Sequence, residues 1–184
     1  MRRGSLAITL AAAAFAATLA AGCERPPDEA WLQFLGFHDA ATAENIAVLQ
    51  GELRNGETDS ADALFRNTSL TVGVDGAGSG VLVYRARVEY SMADLQPPAN
   101  EYALNLYLPA PSHTSGSSGT TTDVTGTITG FPLAPASLKS WIIGTGAATR
   151  PTVNLTARAT FFARTDDGSE LESPGSISIA LSNK

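Results

Sequence analysis

One cysteine, two histidines and two tryptophans are spread over 184 residues. Each scarcity removes a class of chemistry. The lone cysteine, Cys23, has no partner within the chain for a disulfide. Structural zinc wants four ligands, usually Cys or His, and His38 and His113 stand far apart in sequence. His38 beside Asp39 reads as a hydrogen-bonded pair at the end of a strand, and His113 as a solvated loop residue. No G-x-S-x-G elbow is present, and serine and histidine form no triad pattern. The glycines of Gly76-Ala77-Gly78-Ser79-Gly80 are followed by a strand pattern rather than a helix, which removes a phosphate-loop reading. No catalytic residue, metal ligand or cofactor is assigned on these grounds.

Basic charge is also scarce, with twelve Lys and Arg against eighteen Asp and Glu. Ten of the twelve basic residues are arginine, a bias to which no function is attached. Nucleic-acid binding calls for basic clusters, so no nucleic-acid partner is expected.

What the chain does have begins at its N-terminus. Arg2 and Arg3 precede an uncharged, alanine-rich apolar run from Leu6 to Ala21, the layout of a secretory signal peptide. The run is too short and too weakly apolar for a comfortable membrane span. It ends in Leu19-Ala20-Ala21-Gly22-Cys23, which resembles the lipobox of bacterial lipoproteins. That family usually has leucine three residues before the cysteine; here Ala20 stands there and Leu19 one place earlier. The resemblance covers residues 1–23. It implies diacylglyceryl attachment to the Cys23 thiol, cleavage between Gly22 and Cys23, and acylation of the new amino group. It also implies a cell-envelope location, and Glu24 after the cysteine leans toward the outer membrane, facing periplasm or cell surface. Lipidation accounts for a single cysteine that would otherwise be a free thiol in an oxidising compartment.

Without residues 1–22, ten basic and eighteen acidic residues remain, a formal net charge of −8. No polybasic patch is expected to help such a chain onto anionic lipid. Membrane attachment is therefore expected to come from the acyl chains on Cys23. Residues 23–30, with Pro26-Pro27, read as the lipidated cysteine and a short, stiff tether.

From Trp31 to Lys184 period-two alternation dominates, and one β-domain is expected. Strands are predicted at Trp31–Phe37, Leu70–Val74, Leu82–Met92, Tyr102–Leu108, Val124–Ile128, Val153–Phe161 and Ile177–Leu181. In the third of these, Leu82, Tyr84, Ala86, Val88, Tyr90 and Met92 form one apolar face with Arg85, Arg87 and Glu89 behind it. Residues 43–53 fit a helix through Ile46, Leu49 and Leu53, or equally a strand with Ile46 and Val48 inward. Residues 135–143 read as a short helical crossover started by Pro135, with Leu138 and Trp141 on one face and Gly144 ending it. His113 to Thr122 reads as a mobile loop. About seven strands with one wet face each predict an all-β, antiparallel two-sheet sandwich. At the level of architecture this resembles immunoglobulin-like or fibronectin-like envelope domains; a lipocalin-type barrel is the alternative.

Few residues invite a binding role. Trp141, Phe162 and Tyr107 are the candidate ligand or partner contacts. Phe162 points opposite to Phe161, either into an exposed aromatic strip or, as favoured here, beneath the 131–144 crossover. Asp166, Asp167 and Glu170 share one turn but are too few for calcium, which takes six to eight oxygens. Asn67-Thr68-Ser69 and Asn154-Leu155-Thr156 match the glycosylation sequon, read as chance. The expected function is a non-enzymatic envelope lipoprotein whose domain is structural or binds an envelope protein. A glycan or small-ligand binder is the alternative, and a carboxylate-based hydrolase a third. Replacing Cys23 by Ala should block processing or release the protein from membranes. Fractionation and fatty-acid labelling would show this, and a variant that still labels and stays membrane-bound would contradict the lipobox reading.

Overall fold

Alternation in the sequence becomes paired strands throughout the computed structural model, which describes residues 31–69, 78–93, 95–114, 120–122 and 124–184. Its elements are β1 (Leu32–His38), β2 (Val48–Glu52), β3 (Asp59–Asn67), β4 (Val81–Ser91), β5 (Asn100–Leu108), β6 (Ser112–Thr114), β7 (Thr120–Thr122), β8 (Val124–Ala134), α1 (Ala136–Gly144), β9 (Thr152–Thr165) and β10 (Glu170–Ser182). A three-stranded sheet runs β1-β3-β8 and a five-stranded sheet runs β2-β10-β9-β4-β5, with β6 and β7 as a separate hairpin. The two larger sheets bury one common core, the all-β sandwich that the alternation predicts.

Packing starts from β9. Its odd-numbered residues from Val153 to Thr165 are all buried. Most are small: Ala157, Ala159 and Ala163 flank Phe161, and its cross-strand neighbours are Ala86 on β4 and Ser173 on β10. One large ring therefore stands in a field of small side chains. Four phenylalanines from the opposite sheet close around it. Phe161 lies 5.2 Å from Phe34, 4.8 Å from Phe65, 5.2 Å from Phe131 and 6.4 Å from Phe37, centroid to centroid. Stacked, tilted and edge-on ring pairs of this kind contribute about 0.5–1.5 kcal/mol each beyond the area they bury.

Two glycines make the closure possible. Gly175 on β10 faces the opposite sheet, and a Cβ there would overlap the Phe34 ring. Phe34 is fixed at this point by its N–H, which donates to Ser173 Oγ at 3.1 Å. Gly36 sits at a bulge in β1 with φ +137°, a conformation that side-chain-bearing residues rarely adopt. The bulge shifts the inward phase, so that Leu32, Phe34 and then Phe37 all reach the core.

Several expectations change in detail. A second bulge, between Val83 and Arg85, breaks the predicted apolar face of β4. Val81, Val83, Ala86, Val88 and Tyr90 point inward, and Leu82 and Tyr84 turn out. The ambiguous 43–53 segment holds strand β2, but Leu49 is its buried residue and Val48 is 46% exposed. Strand β2 pairs with β10 in parallel, the one parallel pair among the named strands. Strand β3 was not predicted: its inward residues before Phe65 are only Ala61 and Ala63, with Leu64 on the other face. The predicted mobile loop 113–122 contains the paired strands β6 and β7. The predicted strand 70–74 and Cys23 lie outside the described residues.

The two ends of the sandwich are closed by polar groups. At one end Asn67 is fully buried. Its Nδ2 donates to Ser79 O and Pro109 O, both at 2.9 Å, and to Leu108 O at 3.3 Å, while Oδ1 accepts from Ser69 N–H at 3.0 Å. The amide nitrogen that a sequon would modify is thus committed to three carbonyls. At the other end α1 carries the chain from β8 to β9, burying Leu138, Lys139 and Ile142. Removing the central ring should be costly in such a core. Phe161→Ala is expected to lower unfolding free energy by about 3–5 kcal/mol. Urea denaturation should show a lower midpoint with an unchanged slope.

Candidate binding surface

The β4 bulge has a second effect. It places two consecutive side chains, Tyr84 and Arg85, on the outer face of the five-stranded sheet. There they meet the outward residues of β9 and β10. Arg85 lies opposite Phe162 in register, and its guanidinium carbon sits 4.2 Å above the Phe162 ring centroid. That is a cation–π contact. Tyr84 donates its hydroxyl to Glu170 Oε2 at 2.8 Å. Arg164 holds the other carboxylate oxygen through Nε at 3.0 Å and Nη2 at 2.9 Å, and lies 5.7 Å from the Tyr84 ring. Two arginines and two aromatic rings are therefore interleaved at one end of this face. Arg87, bridged to Glu89 at 3.0 Å, continues the row.

Electrostatics on this face follow from those contacts. Tyr84 donates to Glu170 and Arg164 lies beside it, and both hold the Glu170 carboxyl below its ordinary value. The same hydrogen bond to Glu170 raises the Tyr84 phenol. At the sheet edge Tyr107 is 53% exposed and donates to Asp166 Oδ2 at 3.2 Å, which also accepts from Gly80 N–H at 2.9 Å. The far end of the same face is different in kind. A shallow hollow of about 570 Å³ there is lined by Ser91, Asn154, Thr156 and Ser178 together with apolar residues such as Val48 and Met92.

Of the three residues singled out in the sequence, Phe162 and Tyr107 share this face, separated by β4. Phe162 is half-buried beneath Arg85, not beneath the 131–144 crossover. Trp141 is elsewhere: it sits on α1, partly buried against the core. His38 does not pair with Asp39. Its Nδ1 lies 3.0 Å from Ala43 O, while Asp39 caps the following turn through Ala41 N–H at 2.8 Å and Thr42 N–H at 2.9 Å. The His113 side chain lies outside the described residues.

The acidic turn is likewise taken apart by its contacts. Asp166 faces Gly80 and Tyr107, Asp167 accepts from the Thr165 hydroxyl and from Ser169 N–H, and Glu170 faces Tyr84 and Arg164. Among the described residues no three His, Cys, Asp or Glu side chains converge as metal ligands would.

Sequence reasoning missed Tyr84 as a surface residue because strict alternation assigns it inward, whereas Arg85 is exposed as the alternation predicts. The one signal is Val81-Leu82-Val83-Tyr84, an unbroken apolar run that leaves the phase open. Such a surface can hold a carboxylate or phosphate through guanidinium donors, or a protein side chain on its aromatic edges. Neither protein-family models nor curated protein sequences give a match to the chain.

A lowered carboxyl stabilises the fold above the ordinary value of 4.5, and that contribution is lost as pH falls through the folded value. Glu170→Gln removes it. The variant should lose less stability than the parent as pH drops below 4.5, in urea titrations run across that range.

Proposed function

We propose that the chain is a lipid-anchored lipoprotein of the bacterial cell envelope, with a non-enzymatic β-sandwich that binds an envelope protein. The observation that carries this reading is Leu19-Ala20-Ala21-Gly22-Cys23 at the end of an uncharged apolar run. On this reading residues 1–22 are removed and Cys23 carries the acyl chains. Residues 24–30 form the tether and residues 31–184 the domain, with outer-membrane placement following from Glu24.

Geometry adds an orientation. Trp31, where the tether enters, accepts a hydrogen bond from Thr68 N–H at 2.8 Å, beside the buried Asn67. Seven tether residues reach about 25 Å when extended. On this reading, the end of the sandwich bearing Asn67, Tyr107 and Asp166 is the one nearer the membrane. Strand β10, of 13 residues, spans about 40 Å. It separates that end from the crossover end, where the exposed apolar residues Val48, Leu95 and Ile143 lie.

Protein binding is supported by the interleaved Arg85, Phe162, Tyr84 and Arg164, residue types enriched where proteins meet. It is also supported by edge strand β5, which pairs only with β4 among the described strands. A second reading, binding of a glycan or small ligand, is favoured by the hollow beside Asn154 and Thr156. Photo-crosslinking from Tyr107 and Arg85 positions in intact cells should trap a defined envelope protein. Labelling of glycan alone would favour the second reading, and no adduct from either position would refute the first.

A further inference from the structure

Lys139 and Lys184 are the only lysines in a chain with arginine at its other ten basic positions. Lys139 is 1% exposed and is the one charged residue in the buried set of the described residues. Two side chains face its ammonium. Asp59 Oδ2 lies 2.9 Å from Nζ, and Asn55 Oδ1 accepts from Nζ at 2.8 Å. Asn55 Oδ1 also accepts the backbone N–H of Glu57 at 3.0 Å, which fixes the plane of its amide. Asp59 Oδ2 is itself buried and has no hydrogen-bond partner among the described residues, so the ammonium is its ion-pair partner. Its carboxylate is packed against Gly51, where a Cβ would overlap it.

We propose that these residues join covalently, with an amide bond from Lys139 Nζ to Asn55 Cγ and Asp59 as the proton carrier. Nucleophile, acceptor, base and oxyanion donor are then all present. Asp59 takes one proton from the ammonium, leaving a neutral amine against the Asn55 amide. Nζ attacks Cγ, and the carbonyl electron pair moves onto Oδ1, where the Glu57 N–H already donates. A second Nζ proton passes through the Asp59 carboxyl to Nδ2. The Cγ–Nδ2 bond breaks, ammonia leaves, and Asp59 retains the first proton until it is released to solvent. Asn55 lies on an exposed turn, which gives ammonia a way out. No oxidant or co-reactant enters.

The choice of residue supports this step. A plain ion pair is served at least as well by arginine, which holds a carboxylate with two parallel donors and is not deprotonated in proteins. Lysine is the basic residue that becomes a nucleophile when it gives up its proton. Of its two lysines the chain places one here, with arginine at ten other basic positions. The bond would also tie the β2–β3 turn to α1, in a chain with no cysteine pair for a disulfide.

Proteolysis of the purified full chain, followed by tandem mass spectrometry, tests this. The expected product is a branched peptide joining the segments around Asn55 and Lys139, lighter than their sum by about 17 Da, the mass of ammonia. Trypsin should fail to cut after Lys139. Lys139→Arg and Asp59→Asn should each abolish the branch. Unlinked peptides, with cleavage after Lys139, would overturn the proposal. So would an ammonia loss confined to the Asn55-Gly56 peptide, because that pair can cyclise on its own backbone. A branch at Asp59, lighter by about 18 Da through loss of water, would overturn the assignment of Asn55. If a variant does not fold, digestion of the parent chain still decides.

Discussion

Contact between Phe161 and four phenylalanines of the opposite sheet is the constraint on which the rest of the sandwich depends. Face-to-face sheets sit about 10 Å apart, and that gap has to be filled without voids. Here it is filled asymmetrically. The five-stranded sheet supplies one phenylalanine in a field of alanine and serine, and the three-stranded sheet supplies Phe34, Phe37, Phe65 and Phe131. Small residues on β9 are what let those rings descend. Gly175 extends the same logic to β10, and the bulge at Gly36 brings β1 back into phase so that both its phenylalanines contribute.

With the middle held by apolar contact, the two ends carry the buried polar groups. Asn67 satisfies three carbonyls and one N–H at the end where Trp31 enters. Lys139 and Asp59 join the two connections that cross between sheets at the other. Both arrangements are costly to half-remove, because a buried donor or charge left alone loses its compensation. The face of the five-stranded sheet is patterned along the same axis, from arginine and aromatic rings to a mixture of hydroxyls, amides and small apolar residues. On the proposed anchoring, its arginine-rich end lies nearer the membrane.

How much of this could be read from the chain depended on how faithfully each strand alternates. β9 and the second half of β10 were legible because apolar residues recur at every second place. β3 was not, because Ala61 and Ala63 carry little signal and Leu64 faces the wrong way for it. Bulges at Gly36 and Tyr84 defeat a strict period of two, and Tyr84 was lost as a surface residue for that reason. The same period set Phe162 opposite Phe161, but Arg85 rather than the crossover covers it. The Lys139–Asp59–Asn55 group unites positions 84 residues apart. Local patterning carries no information about such a meeting. The expected pair of His38 with Asp39 failed for a local reason: Asp39 caps the turn that follows it.

The parallel pairing of β2 with β10 has a consequence for how the chain acquires its shape. β10 sits between β2 and β9 within the five-stranded sheet, yet it is the last of the described elements along the chain. The sheet therefore has a gap near one side until all the other elements exist. Until then β2 has no neighbour and β9 shows an unpaired edge. Most of the strand pairs join segments distant in sequence, and folds of that kind assemble slowly. A long interval with open strand edges invites pairing between molecules. On the proposed route across a membrane, such a chain benefits from arriving unfolded and closing only when its final strand is through.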